Sequence, residues 1–385
     1  MNRLVIIGNG FDLAHGLPTS YGHFIDAFWS NFKNKVKTEE YKKFVYTHDL
    51  FDQYYSNYGI INNFNDFKSN IDEYINDHTG FYFNKERLMF YTSKGADREV
   101  IFKFENEFFK IICNESTTIN WSGIEAIYYN ILKGIAIPEK NIYKYPNSVQ
   151  RLNEEFEDVK KLLVNYLEKN ICEKYSFTLD DTNEILKSLE EEINNSDIEK
   201  NETYVTYFLS FNYTPTARLY YEYLKNKLYK TEVNYIHGEL SNDKNPYIIF
   251  GYGDDEDNDY GSLKEKGNVF LNNLKNHEYG EEENLVNLIA FMNSNKFRVL
   301  IMGHSCETSD KFLLSQIFEN PNCDKIKIYY RPYDNGSNNY KDLSKNISRH
   351  FKNDRIATTT KIDIKKKSDP LFQKIRFEQK NDPQS

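Results

Sequence analysis

The chain has 385 residues, enough for one large domain or two ordinary ones. Aromatics form 16% of it, ample core material, and a formal net charge of −9 argues against a general nucleic-acid-coating protein. No apolar run approaches the roughly 20 residues of a membrane span, and the opening residues read as a strand rather than a secretory leader.

In chain order, the first element is an apolar strand at residues 4–7 that runs straight into Gly8-Asn9-Gly10 and a helix. In doubly wound proteins such a turn holds a nucleotide phosphate, because glycine admits close approach and the helix that follows offers N–H groups. Gly-x-Gly without the third glycine is equally a structural turn. Five further strands are expected at 207–211, 233–236, 248–250, 299–302 and 326–330, with helices at 219–228 and around Phe312-Leu-Leu-x-x-Ile317. Alternating strands and helices predict an α/β fold, a doubly wound and mainly parallel sheet.

Nearly 200 residues separate the first two strands. Leu152, Phe156, Val159, Leu162, Leu163, Tyr166 and Leu167 form a helical stripe, repeated by Ile185, Leu186, Leu189 and Ile193. The expected organisation is a nucleotide-binding α/β domain from 1–24 and 200–350, a large, mainly helical insertion or cap at 25–199, and a basic segment at 351–385 containing Lys365-Lys366-Lys367. Trp121 and Glu125, one helical turn apart, are expected to be structural and to link insertion to sheet. The acidic run at 254–259 resembles a calcium-binding loop, but Gly261 falls at the wrong place, so a solvated loop is expected. Cys113, Cys172, Cys306 and Cys323 are scattered without a Cys-x-x-Cys pair, which points to a reducing cytoplasm and to no bound metal.

Three later motifs fall at predicted strand ends, where such sheets carry ligands. Phe211-Asn212-Tyr213-Thr214-Pro215 leaves an amide at one tip, with Thr214 and Pro215 expected to start a helix. Ile236-His237-Gly238 ends the next strand, and Gly303-His304-Ser305 leads through Thr308-Ser309-Asp310 into a helix that Ser or Thr would cap.

The stretch from Gly8 to Tyr21, Gly-Asn-Gly-Phe-Asp-Leu-Ala-His-Gly-Leu-Pro-Thr-Ser-Tyr, resembles the signature of the AbiH family of bacterial phage abortive-infection proteins. Trp121-x-x-x-Glu125, Phe211-Asn-Tyr-Thr214, Ile236-His-Gly238, Phe250-Gly-Tyr-Gly253 and Gly303-His-Ser305 resemble its later motifs, so that the likeness spans residues 1–330. By motif order the chain is also distantly similar to sirtuin-like NAD-binding domains. That resemblance implies a sirtuin-like Rossmann type of sheet and cleavage of the nicotinamide–ribose bond of NAD, which would be substrate rather than resident cofactor. The bond breaks through an oxocarbenium-like ribosyl cation.

On this resemblance Asn212 and His237 are the catalytic residues. Asn212 would position water or the nicotinamide ribose, and His237, with a reference pKa of ~6.5, would take a proton. Gly8, Asn9, Gly10 and Phe11 would form the phosphate turn and pocket floor, Asp12 would bond backbone or ribose, and Gly303, His304, Ser305 and Asp310 would line the opposite wall. The sequence departs from sirtuins in three ways: no four-cysteine zinc ribbon can be built, position 9 is Asn, and position 214 is Thr instead of Asp. The partners implied are a nucleotide ligand, a phage-derived trigger and further copies of the chain, with no membrane. A nucleotide-sensing module without NADase activity, or an enzyme on another nucleotide, remains open.

Overall fold

The computed structural model describes residues 1–49, 51, 59–92, 98–115, 120–180, 182–197, 204–227, 229–240, 247–352, 360–372 and 376–380. The chain divides into two compact units, one formed by Met1–Thr19 with Leu167–Ser385 and the other by Ser20–Tyr166.

The first unit is an α/β unit built on a six-stranded, wholly parallel sheet. Its strands are β1 (Asn2–Ile7), β6 (Thr206–Ser210), β7 (Thr231–Tyr235), β8 (Phe297–Met302), β9 (Cys323–Tyr330) and β10 (Asp369–Pro370), with β2 to β5 belonging to the other unit. Across the sheet the order is β10-β9-β8-β1-β6-β7, and every pairing is parallel. Numbered along the chain, these six strands run 3-2-1-4-5-6 across the sheet. The winding direction reverses between β1 and β8, the switch point where open parallel sheets form a crevice.

Every residue of β1 is buried, because it lies at the centre with both faces covered. Leu4 and Ile6 point to one face, where helices Asn284–Ser294, Lys311–Glu319 and Tyr340–Ser348 contribute Leu288, Phe291, Leu314, Ile317 and Ile347. Val5 and Ile7 point to the other, packed by α1 (Asn9–Ala14), Thr216–Asn226 and Glu184–Asp197. The alternation of Cβ directions along a strand produces this division.

Five of the six expected strands are in this sheet. Residues 248–250 are not a strand: they form a buried segment held by Ile249 N–H donating to the His237 carbonyl at 2.8 Å, with Tyr213 O–H donating to the Ile249 carbonyl at 2.8 Å. The remaining sheet position goes to β10. The expected boundary at residue 199 also moves. Ile185, Leu186, Leu189 and Ile193 pack against Val5, Ile7 and Phe208, so their helix belongs to the α/β unit. The described part of 351–385 is likewise built into it: Leu371 N–H donates to Tyr330, and Phe377 N–H to the His15 carbonyl. The Phe377 ring stacks on His15 at 4.8 Å. Lys365–Lys367 is an exposed 3-10 turn.

The Ser20–Tyr166 unit is not only helical. Besides helices Tyr21–Ser30, Phe64–Asp77, Glu107–Glu115 and Trp121–Ala136 it holds an antiparallel sheet, β2 (Val45–Thr47), β3 (Phe81–Asn84), β4 (Met89–Thr92) and β5 (Val100–Phe104), in the order β2-β5-β4-β3. Its core is aromatic: Trp29 lies 4.6 Å from Phe67 and 4.9 Å from Phe64. Trp121 packs on Tyr21 and Phe24 at 5.6 and 5.7 Å, and Glu125 is buried one turn further on.

Candidate functional site

The strand-end motifs meet at the carboxyl rim of the parallel sheet, over the β1–β8 switch point. A Cβ on Gly8 would sit 2.6 Å from His304 Cα, and one on Gly10 would sit 2.8 Å from the Gly303 carbonyl oxygen. Neither glycine has a positive φ; each is needed for close approach rather than for left-handed torsion. Gly303 needs both, since its φ is +77° and a Cβ there would strike the Phe11 amide.

This packing changes the expected role of the turn. The Gly8 N–H donates to Met302, Gly10 N–H to Gly303 at 2.8 Å, and Phe11 N–H to Gly8 at 2.8 Å. The first two amides tie the end of β1 to the end of β8 and the third closes the turn on itself, so none of the three stands free for a phosphate. The Phe11 ring does not form a pocket floor either: it is fully buried in the core against His15 at 4.8 Å and Tyr220 at 5.1 Å. Asn9, Gly10, Gly303 and Ser305 are the half-buried members of the predicted set, and Ser305 offers its carbonyl to Asn346 Nδ2 at 2.9 Å.

Asn212 reaches the turn directly. Its Nδ2 donates to the Gly8 carbonyl at 3.0 Å, while the Ser210 hydroxyl accepts from its N–H and donates to its carbonyl. Thr214 does not cap the helix that begins at Thr216. Its hydroxyl donates to Asp12 Oδ2 at 2.7 Å and lies 3.2 Å from Thr216 Oγ1. Asp12 is thus drawn into a buried polar knot, its Oδ1 without a hydrogen-bond partner. Burial pushes its carboxyl up to about 6, against the lowering effect of the Thr214, Thr216 and Asn212 side chains.

A second cluster centres on Asp310. Its Oδ1 accepts from Lys275 Nζ at 2.7 Å and lies 3.5 Å from His237 Nε2; its Oδ2 lies 3.5 Å from His304 Nε2. Tyr279 O–H meets His237 Nε2 at 2.9 Å, and the Phe211 ring lies 5.0 Å from His237 and 4.3 Å from His304. Burial alone would raise the Asp310 carboxyl. The Lys275 ammonium, then His304 and His237, more than reverse this and hold it well below the usual carboxylate range. His237 is pushed down to about 3 by burial, with Lys275 adding to the effect and Asp310 opposing it. It is therefore a neutral imidazole. The Cys306 N–H donates to His304 Nδ1 at 3.0 Å, which places the His304 ring proton on Nε2, facing Asp310. No side-chain cap bond starts the helix after Asp310.

Lys275 and Tyr279 lie in a stretch without a recognisable motif. The signal that could have found them is the glycine pair of Phe250-Gly-Tyr-Gly253. A Cβ on Gly251 would strike the Asn273 carbonyl, and one on Gly253 would sit 3.1 Å from Ser309 O and 3.2 Å from Lys275 Cβ. Tyr252 accepts from Lys275 N–H at 3.0 Å, and Gly253 N–H donates to Ser309 at 2.9 Å. The motif clamps the Lys275 turn to the Asp310 turn.

The fold and site define a parallel-sheet α/β protein whose strand ends converge on two buried polar clusters, Asp12–Thr214 and Asp310–Lys275–His237–His304. Residues 4–331 match the family model described as bacteriophage abortive infection AbiH. The chain belongs to the AbiH family, which ties it to phage abortive infection. No curated protein matches the chain, and among the described residues no helix is long and apolar enough to cross a membrane.

Proposed function

We propose that the protein is an abortive-infection effector that hydrolyses the nicotinamide–ribose bond of NAD at the rim of its doubly wound, sirtuin-like sheet. The observation that supports this most is convergence. Four turns separated by up to three hundred residues bring Asn212 to 3.0 Å from the Gly8 carbonyl, and His237 and His304 each to 3.5 Å from Asp310. Nucleotide chemistry at a switch point needs such a gathering of polar groups.

In the reaction NAD and water give nicotinamide, ADP-ribose and a proton. The C–N bond breaks with its electron pair leaving on nicotinamide, and water oxygen bonds the ribosyl carbon. Asn212 positions the ribose or water through its amide. His237, neutral at working pH, takes the proton that water loses. Asp12 places a carboxylate beside the Thr214 hydroxyl, although position 214 itself lacks the sirtuin Asp. Asn9 and Ser305, half-buried at the rim, contact the phosphates or ribose together with Gly10 and Gly303.

The turn amides and the Asn212 amide are already engaged within the protein. This favours a resting state that a phage-derived trigger or self-assembly opens, in keeping with an effector that is silent in a healthy cytoplasm. The same observation favours a second reading, a nucleotide sensor in which Asn212 is structural. The test is incubation of the purified protein with NAD, followed by chromatography of nicotinamide and ADP-ribose. Release by the wild type and its loss in folded Asn212→Ala and His237→Ala supports the enzyme. Bound but intact NAD supports the sensor.

A further inference from the structure

Lys275 and Asp310 form an ion pair at 2.7 Å in which the lysine is 1% exposed. A bare pair so deeply placed costs desolvation, and its attraction offsets that cost only with good geometry and further hydrogen bonds. Here the further partners are the two imidazoles. Asp310 spans them, one oxygen toward His237 Nε2 and the other toward His304 Nε2. The backbone clamp at Gly251–Gly253 holds the two loops that carry the pair in register through the Lys275–Tyr252 and Gly253–Ser309 bonds, with no room for a Cβ at Gly251 and little at Gly253. The Phe211 ring packs against both imidazoles.

We propose that Lys275 and Asp310 are positioning residues: the carboxylate orients the His304 ring through its Nε2–H and stands beside the His237 Nε2 that Tyr279 meets, and the ammonium holds that carboxylate in place. Asp310 follows the Gly303-His304-Ser305 motif, whereas only the Gly251–Gly253 glycines mark Lys275 in sequence. A proton arriving at His237 Nε2 then faces Asp310, so the imidazolium forms beside a fixed negative charge. The effect on catalysis rests on the reaction proposed above; the effect on the rings does not.

The experiment is nitrogen NMR of histidine-labelled full-length protein, wild type against Lys275→Arg, Lys275→Met and the double variant Lys275→Met/Asp310→Asn. The double variant removes both charges together, so it remains folded where the single Met variant, left with an unpaired buried carboxylate, fails. The wild type and Lys275→Arg show His304 as a single Nε2–H tautomer and His237 as one neutral species. In the folded double variant the His304 Nε2–H signal shifts and broadens as the ring loses its anchor, the His237 Nε2 signal shifts, and nicotinamide release falls at least tenfold in kcat with KM within threefold. Unaltered ring signals in that variant overturn the proposal. A wild type that releases no nicotinamide overturns the NADase reading instead, and the ring signals still decide this one.

Discussion

Replacing Asp12 by Asn tests the buried carboxyl knot under the glycine turn. In the folded protein burial raises this carboxyl to about 6, against 3.8 for the free group. Between those values the folded state holds a proton that the unfolded chain has released. The stability Asp12 contributes is therefore complete below pH 3.8 and is lost as pH rises through 6. The span of about 2.2 pH units, at 1.36 kcal/mol each, makes the full linkage about 3 kcal/mol, of which about 2 falls between pH 4.5 and 7.5. Asn keeps the shape and the bond to Thr214 without a titrating group. Asp12→Asn should gain about 2 kcal/mol relative to wild type on going from pH 4.5 to 7.5. The assay is urea unfolding by far-UV circular dichroism at several pH values. Both tryptophans, Trp29 and Trp121, lie in the Ser20–Tyr166 unit, so their fluorescence follows that unit alone. A stability difference that is flat with pH refutes the reasoning.

Burial lowers His237 to about 3 and both His15 and His350 to about 4, so each contributes stability that is present above pH 6.5 and lost as pH falls toward those values. The protein should lose stability on acidification below pH 6.5, less steeply when His15 is replaced by Gln; calorimetry across pH 4.5–7.5 checks this. Gly303→Ala should unfold or fail to accumulate, because its φ is +77° and the methyl strikes the Phe11 amide. Gly267→Ala, with φ +113° and ψ 167° but open space around it, should cost about 1–3 kcal/mol of backbone strain; melting curves of the pair decide. Tyr220 O–H bridges His15 Nε2 at 2.7 Å and Asn183 Oδ1 at 3.1 Å; Asn183 Oδ1 keeps the Leu186 N–H, so Tyr220→Phe should lose about 1–3 kcal/mol through His15 Nε2, which loses its hydroxyl partner.

The parallel sheet was legible because its strands are buried on both faces and read as short apolar runs. The same logic misassigned 248–250, an apolar run that is buried without joining a described strand. It missed β10, whose Asp-Pro has no strand character and is placed only by its pairing with β9. The antiparallel sheet at 45–104 escaped because its strands are three to five residues long and set among polar ones. Asn212, His237 and Asp310 were legible from motif position. The chemistry around them was not: Asp12–Thr214 joins residues 202 positions apart, and Lys275 reaches Asp310 from a stretch of Asn, Lys and His without pattern. Gly8 and Gly10 were read as admitting the close approach of a phosphate, whereas it is neighbouring backbone of the same protein that lies where a Cβ would go.

The most direct test of NAD consumption is the NAD pool of bacteria carrying the protein, followed by mass spectrometry from phage adsorption to lysis. NAD should fall steeply with a matching rise in nicotinamide and ADP-ribose, a change absent in cells carrying folded Asn212→Ala or His237→Ala. Cells that arrest phage growth while their NAD stays level would contradict NAD consumption.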